Sequence, residues 1–455
     1  MIHKYRFKDK YIALDINSGA VHVIDKIVFD ILDYYDGKNI ERVFYELKYK
    51  YASDEISEAI EELDDLKSKG LLFSEDTFFD NNVLKQKKTA VKAICLHVAH
   101  DCNMNCKYCF GAQGSFEGIR ELMSFETGKA AIDFLIKNSE KRKNLEVDFF
   151  GGEPLMNFEV IKKIVSYGRK VEKNHNKKIR FTITTNGILL DDKKADYINE
   201  HMENVILSID GRSEVNDRMR RTWNDSGTYD LIIDNYKKFV KRRENRLYYV
   251  RGTFTKENLD FSKDVMHLVN EGFKNVSVEP VVVKEHEEYA VLPEHLQIVF
   301  DEYEKLSDFI IENTRNNRLI EFFHFNIELD QGPCIIKRIS GCGAGTEYMA
   351  VAPNGELYPC HQFVGNSDFI IGNVFDEYQQ NHLHDIFNDA HIYNKEKCGS
   401  CWAKFYCSGG CHANAYQISG DIMKPYETGC EMEKKRIECA IGIKAVLGIG
   451  AEYGV

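Results

Sequence analysis

No apolar run in this chain approaches the roughly 20 residues that a membrane-spanning helix needs. The opening residues, Met1-Ile2-His3-Lys4-Tyr5-Arg6, hold no apolar core of a signal peptide. The expectation is a cytoplasmic protein with no membrane partner. Positive charge is also short: 60 Lys and Arg stand against 72 Asp and Glu, a net charge of −12. A general nucleic-acid binder needs a basic surface that neutralises phosphates, so no nucleic-acid partner is expected. Tryptophan is scarce, with two residues, but 24 Tyr and 28 Phe supply core material. A hydrophobic content of 43% is that of an ordinary globular protein, and 455 residues suggest about three domains.

Cysteine, by contrast, is plentiful and uneven. Of thirteen, three lie at 102–109, nine lie between 334 and 439, and Cys95 stands alone. In a reducing compartment such clusters are metal ligands more often than disulfides.

The chain divides by pattern. Residues 1–74 read as two short strands and a turn at Asn17-Ser18-Gly19 leading into Ala20–Ile24, then three helices. Those helices carry the apolar sets Val28/Ile31/Leu32/Tyr35, Ile40/Val43/Phe44/Leu47 and Ile56/Ile60/Leu63/Leu66. Gly70 suits a helix stop, and Leu71-Leu72-Phe73 a further short strand. This is a winged-helix pattern. Residues 75–90 are polar and read as a linker. Residues 91–320 alternate apolar strands with amphipathic helices. The strands are expected at Ala93–Val98, Glu146–Phe150, Arg180–Thr184, Val205–Ile209, Tyr248–Phe254 and Asn275–Val278. Such alternation predicts parallel strands with helical crossovers, here an α/β fold with a partial (β/α)6 barrel. Chemistry in barrels sits at the C-terminal ends of the strands. Residues 321–455 are rich in Cys and Gly and end in a helix. With few apolar runs, this segment is expected to bury little core and to lean on metal ligation.

Cys102-x3-Cys106-x2-Cys109 begins where the first barrel strand ends. Thiolates select soft metals, zinc or iron–sulfur clusters. A structural zinc wants four ligands; three thiolates on a four-iron cube leave one iron open. With Tyr108 before the third Cys, the motif resembles that of the radical SAM enzymes. The resemblance implies S-adenosyl-L-methionine (SAM) on the open iron and its reductive cleavage to a 5′-deoxyadenosyl radical. The second strand runs into Gly151-Gly152-Glu153-Pro154, and glycines at a strand end let backbone approach a ligand closely. In the family this matches the motif holding the SAM amino group, with Glu153 as an acceptor for the ammonium. Asn186 and Ser208, at the ends of the third and fourth strands, are candidates for the SAM ribose or carboxylate. Asp210 and Arg220 are candidates for SAM contacts or for a salt bridge between loops.

Further on, Cys342 precedes Gly355-x4-Cys360, then Cys398-x2-Cys401-x5-Cys407-x3-Cys411, then Cys430. Paired zinc ribbons are one reading of such spacing. In order and spacing the pattern resembles the SPASM extension of peptide-modifying radical SAM enzymes. That implies two auxiliary [4Fe–4S] clusters, three in all with the SAM-binding one. One auxiliary set would be Cys398, Cys401, Cys407 and Cys430. The other would be Cys342, Cys360 and Cys411, either closed by Cys334 or left open to a substrate thiol.

The first 74 residues resemble the peptide-recognition domain of maturases of ribosomally made peptides. There a leader peptide adds a strand to a sheet edge and packs on the third helix. A DNA-binding winged helix or a dimerisation module are the alternatives; the acidic run from Asp54 to Asp65 argues against DNA. Together the parts resemble radical SAM/SPASM maturases that install thioethers in Cys-rich precursors, the sactisynthase or ranthipeptide type acting on six-cysteine peptides. The implied product joins a Cys sulfur to a carbon of another residue, Thr by expectation, and an external electron donor is implied. Sulfatase-maturing (formylglycine-forming) enzymes and carbon–carbon cross-linking maturases are the enzyme alternatives. An iron–sulfur redox regulator is the non-enzyme one, and gives Gly151–Pro154 no task.

Overall fold

Polar and apolar residues alternate along the central strands, and that alternation sets the architecture. The computed structural model describes residues 1–80, 90–329 and 335–448. Strands β1 (Ile2–Phe7), β2 (Lys10–Asp15) and β3 (Val21–Ile24) form an antiparallel sheet in that order. Helices α1 (Lys26–Ile31), α2 (Ile40–Leu47) and α3 (Ser53–Ser68) follow. Val43, Leu47, Ile56, Ile60 and Leu63 are buried in one shared core, as their helical spacing predicts. Gly70, at φ +70°, ends α3. Its N–H donates to Lys67 O and the Leu71 N–H to Leu66 O, both 3.0 Å, a Schellman closure. Leu71–Phe73 is a series of bends, not the expected strand. The Leu71 carbonyl is taken by the His22 side chain (Nε2 donor, 3.0 Å), and Leu72 fills the helical core instead.

The large sheet contains β4 (Ala93–His100), β5 (Glu121–Leu122), β6 (Asn144–Gly151), β7 (Lys178–Thr185) and β8 (Asn204–Ser208). It continues with β9 (Tyr249–Phe254), β10 (Asn275–Pro280), β11 (Glu321–Phe322), β12 (Tyr348–Val351), β13 (Glu356–Tyr358) and β14 (Gly372–Asn373). The order is β11-β10-β9-β8-β7-β6-β4-β12-β13-β14, with β5 antiparallel on β4. Strands β4 and β6–β11 are parallel, as expected for the partial barrel. The sheet exceeds the six expected strands at both edges. β11 lies beyond the expected boundary at 320. β12, from the Cys-rich segment, pairs in parallel with β4, Tyr348 opposite Ala93 and Val351 opposite Leu96.

The two faces of this sheet differ. Leu145, Val147 and Phe149 of β6, and Ile179, Phe181 and Ile183 of β7, are buried in the main apolar core. One such helix, Phe125–Asn138, starts at Ser124, whose side chain accepts the Thr127 N–H at 3.0 Å. The alternate positions, Glu146, Asp148, Arg180, Thr182 and Thr184, share the opposite, inner face. Residues after 335 do build a core, against expectation: Phe363, Phe369 and Phe387 pack around Tyr416, joined by Cys95 and Phe116 of the barrel. Aromatic residues set singly in a Gly-rich sequence supply it, without an apolar run.

Part of the expected linker is docked. Asp76 accepts from Tyr393 Oη (2.9 Å) and Lys404 Nζ (2.7 Å), and Phe78 packs edge-on to Phe405. Residues 81–89 lie outside the described residues, as does Cys334. Strand β1 faces the long helix Glu427–Leu447: His3 Nε2 meets Glu438 Oε1 at 3.0 Å, and Phe7 lies against Gly442. The His3 ring also stacks on Trp402 at 3.7 Å. Among the described residues no helix is long and apolar enough to cross a membrane.

Candidate functional site

At the end of β4 the chain turns into the loop bearing Cys102, Cys106 and Cys109. A second segment pins this loop by its backbone. Asn105 N–H donates to Arg221 O (2.7 Å) and Lys107 N–H to Met219 O (2.9 Å). Trp223 Nε1 donates to Cys102 O at 2.9 Å. Two glycines then allow main chains to touch beneath the thiols. A Cβ on Gly152 would come 2.2 Å from Asp101 O, and one on Gly114, at φ +92°, 2.8 Å from the Cys102 Cβ. The Gly152 N–H meets Ala99 O at 2.8 Å, so β4 and β6 converge where the cysteines begin.

Pro154 opens a short 3-10 turn, and Glu153 caps it by accepting the Leu155 N–H at 3.0 Å. Glu153 is 0% exposed and also accepts from Thr185 Oγ1 and Asn186 N–H, both at 2.7 Å. A carboxylate offers about four lone-pair sites, so one remains for a ligand ammonium. Burial pushes its carboxyl up, and these three donors pull it back. The observed work of Glu153 is to fix the end of β7. That end presents Asn186, whose Nδ2 donates to Asn103 Oδ1 at 2.8 Å and lies 3.6 Å from Cys102 Sγ. Tyr236 Oη donates to the carbonyls of Thr185 and Ser208, each at 3.2 Å, and so ties the ends of β7 and β8.

Asp210 and Arg220 do not form a direct ion pair. Tyr108 stands between them: its hydroxyl donates to Asp210 (2.8 and 2.7 Å) and accepts from Arg220 Nη1 (3.1 Å). Burial raises the Asp210 carboxyl to about 6, with Arg220 and Tyr108 opposing the rise. Tyr108→Phe removes the bridging hydroxyl. It is expected to cost about 1–3 kcal/mol, the range for stranding a buried acceptor. The loss should be larger at pH 8 than at pH 5. The Tyr108 hydroxyl counts most while the Asp210 carboxylate is ionised, above about 6, so the loss shrinks as the folded-state carboxyl protonates below that value. Urea unfolding at both pH values checks this, and equal losses would contradict it.

The remaining cysteines gather in two further groups. Burial pushes the Cys360 thiol up, with Cys411 and Cys342 adding to the rise. Burial likewise raises Cys430 to about 11, with Cys398 and Cys401 adding. Cys407 is raised by burial, then by Glu433, Cys430, Cys398 and Cys401. In the first loop burial raises Cys102 to about 12 and Cys106 to about 11, with Cys109 adding to both. The sequence-expected sets are thus neighbours in space. All twelve described cysteines are free of disulfides. Among the described residues, no three His, Cys, Asp or Glu side chains converge as one metal ion requires. A four-iron cube asks for wider spacing, because each thiolate binds a different iron. Iron would displace the thiol protons. Asn103 Nδ2 and Arg220 Nε are buried beside the first loop without partners, as groups awaiting a ligand acceptor would be. The residues present therefore fit the implied cofactors.

Of the histidines beside these loops, His97 has neither nitrogen bonded and packs among Phe116, Phe150 and His100, while His361 Nδ1 meets Tyr348 Oη at 3.2 Å.

Sequence reasoning missed the charges on the inner wall. Arg251 of β9 donates to Glu279 of β10 at 2.6 Å. His324 Nε2 meets Ser277 Oγ at 3.2 Å, and Arg436 Nη1 donates to His324 Nδ1 at 2.9 Å. Burial alone would raise Glu279, but Arg251 and His324 outweigh it and hold the carboxyl at about 2. The signal was present: alternation along β9 and β10 places Arg251, Ser277 and Glu279 on the polar face.

With this geometry the comparisons agree. The model of the radical SAM superfamily matches residues 96–269, and that of an iron–sulfur cluster-binding domain, SPASM, matches residues 342–411. The chain belongs to the radical SAM superfamily and carries a SPASM domain. SAM and [4Fe–4S] binding are properties of these two domains. The radical SAM cyclopropyl synthase TigE of Paramaledivibacter caminithermalis is 26% identical over 76% of this chain and 72% of its own. A cysteine-type anaerobic sulfatase-maturating enzyme of Clostridium novyi is 23% identical over 69% of this chain and 86% of its own. Among solved structures, anSMEcpe with bound AdoMet superposes with a TM-score of 0.64 at 20% identity, covering 79% of this chain and 99% of that one. That likeness is one of fold.

Proposed function

We propose that this radical SAM/SPASM enzyme is a peptide maturase. It joins a Cys sulfur to a carbon of another residue, Thr by expectation, in a ribosomally made Cys-rich precursor. Three spatially separate cysteine groups, together with a sheet edge in residues 1–74 that is unpaired among the described residues, carry this reading. Cys102, Cys106 and Cys109 hold the SAM-binding cluster. Cys398, Cys401, Cys407 and Cys430 hold one auxiliary cluster, and Cys342, Cys360 and Cys411 the other. Cys334, as the fourth ligand of the latter, falls outside the described residues. Bound SAM supplies, on reduction by an external donor, the hydrogen abstraction that activates the acceptor carbon. The chain's own residues bind and orient. Gly151, Gly152 and Pro154 shape the backbone wall, Glu153 and Asn186 offer an acceptor and a donor to SAM, and Ser208 closes the rim. Asp210 and Arg220, joined through Tyr108, support the same rim.

The precursor's leader adds to β3. Asp15 N–H donates to Ala20 O at 2.9 Å, which makes that pair a hydrogen-bonded one. With Leu14 opposite Val21 and Ile12 opposite Val23, alternation turns the N–H and C=O of Val21 and Val23 outward. Val23 is 50% exposed. An extended peptide can pair there.

A second reading, formylglycine formation as in sulfatase-maturating relatives, uses the same cysteine groups. It leaves the free edge of β3 without a task, and about a fifth of this chain has no counterpart in anSMEcpe. A carbon–carbon cross-linker would use every part. Mass spectrometry separates the three. The anaerobic, cluster-reconstituted protein is given SAM, reductant and the Cys-rich peptide encoded nearest its gene. The expected product loses two hydrogens and one alkylatable thiol. The same loss with every thiol still alkylated would mean a carbon–carbon bond, and a carbonyl in place of a thiol would mean formylglycine.

A further inference from the structure

Lysine is rarely buried without a charged partner. Lys395 is 3% exposed. It lies between the helix His382–Asp389 and Cys398, and its carbonyl accepts the Cys398 N–H at 3.3 Å. Its side chain reaches across to a second loop, where Nζ donates to the Gly409 carbonyl at 2.8 Å. Gly409 stands midway between Cys407 and Cys411, which belong to different cysteine groups. Three successive residues there, Ser408, Gly409 and Gly410, have φ of 58°, 83° and 70°. This left-handed run turns the Gly409 carbonyl toward the ammonium. A Cβ on Gly409 would lie in van der Waals contact with Lys395 Cδ, at 3.4 Å.

An ammonium has three donors, and one described protein acceptor meets it. Burial lowers the Lys395 pKa, and the thiols of Cys398, Cys411, Cys407 and Cys342 act in the opposite sense. The first and third of these belong to one auxiliary group, the second and fourth to the other.

We propose that Lys395 is a shared positive charge set between the two auxiliary cysteine groups, where it raises the reduction potential of the clusters they hold. The inference rests on the cluster assignment above. A reduced cluster carries one more negative charge than an oxidised one. A fixed cation in a low-dielectric site favours the reduced form. In this role Lys395 acts on the charge of the clusters and not on substrate or SAM, so it is a positioning residue.

The test uses the full chain with Cys102, Cys106 and Cys109 replaced by Ala, so that only auxiliary clusters give a signal. Midpoint potentials are read by EPR-monitored redox titration for Lys395, Lys395→Met and Lys395→Arg. Met keeps the bulk and drops the charge; Arg keeps the charge. The expected result is a fall of about 59 mV or more in the Met variant, a tenfold change for one electron, with Arg close to the parent. An unmoved potential at full iron content overturns the proposal. So do equal falls in both variants, or loss of iron from the Met variant, since each would mean packing rather than charge. A parent that holds no iron at all overturns the cluster assignment itself, and is distinct from every other outcome.

Discussion

Replacing Cys102, Cys106 and Cys109 together with Ala is expected to remove about four irons per chain and to reduce 5′-deoxyadenosine formation from SAM to the protein-free level. The three thiols share one loop, and their electrostatic neighbours among cysteines are each other. The backbone bonds to Met219 and Arg221 hold that loop without help from the C-terminal cysteines. The auxiliary iron should therefore survive. Cys398→Ala should show the converse pattern: iron lost from an auxiliary site, and cleavage of SAM retained. Iron analysis and chromatography of the nucleoside products give both readouts. Complete loss of iron from the triple variant would contradict the independence of the groups.

The second large effect is expected at the free sheet edge. Val23→Pro removes the outward N–H of a residue whose pair with Ile12 carries no ladder bond, so the β2–β3 ladder is kept. Proline is tolerated at such edge positions. One leader hydrogen bond would go, at about 0.5–1.5 kcal/mol, while the Val23 carbonyl is kept. Binding of a fluorescent precursor should weaken about two- to tenfold in anisotropy titrations. SAM cleavage without peptide should not change, and Val23→Thr should bind as the parent does. Undiminished binding by the Pro variant would place the leader elsewhere.

Strand periodicity made the barrel legible. Each of the six expected strands is present, and their ends differ from expectation by two residues or fewer. The first three-cysteine loop was legible because its spacing is local; the division of the later cysteines into two sets came only from the family resemblance. What escaped was non-local. Strand β12 has four residues in a Gly-rich stretch, and nothing nearby in the chain announces that its partner is β4. Tyr108 was read as a signature residue, but its role between Asp210 and Arg220 depends on three loops meeting. Lys395 lies in a polar run, Tyr393-Asn394-Lys395-Glu396-Lys397, that looks solvated. Only its approach to Gly409 shows that it is not. The strand expected at Leu71–Phe73 failed because a side chain, not a neighbouring strand, takes the carbonyl.

The pairing of β12 with β4 also orders events during synthesis. The Ala93–Leu96 part of one β4 edge is bare until the ribosome has delivered Tyr348–Val351, β5 having covered Ala99 and His100 earlier. At roughly 5–20 residues per second, that interval is about 13–50 s. Through it the growing chain exposes one open edge of an apolar strand, the feature that templates aggregation. The covering strand lies between the Cys342 and Cys360 positions, so the metallation proposed for that cysteine group and the protection of the nascent barrel involve the same few residues. On that proposal, iron starvation is expected to weaken folding at the barrel edge as well as to remove a redox centre.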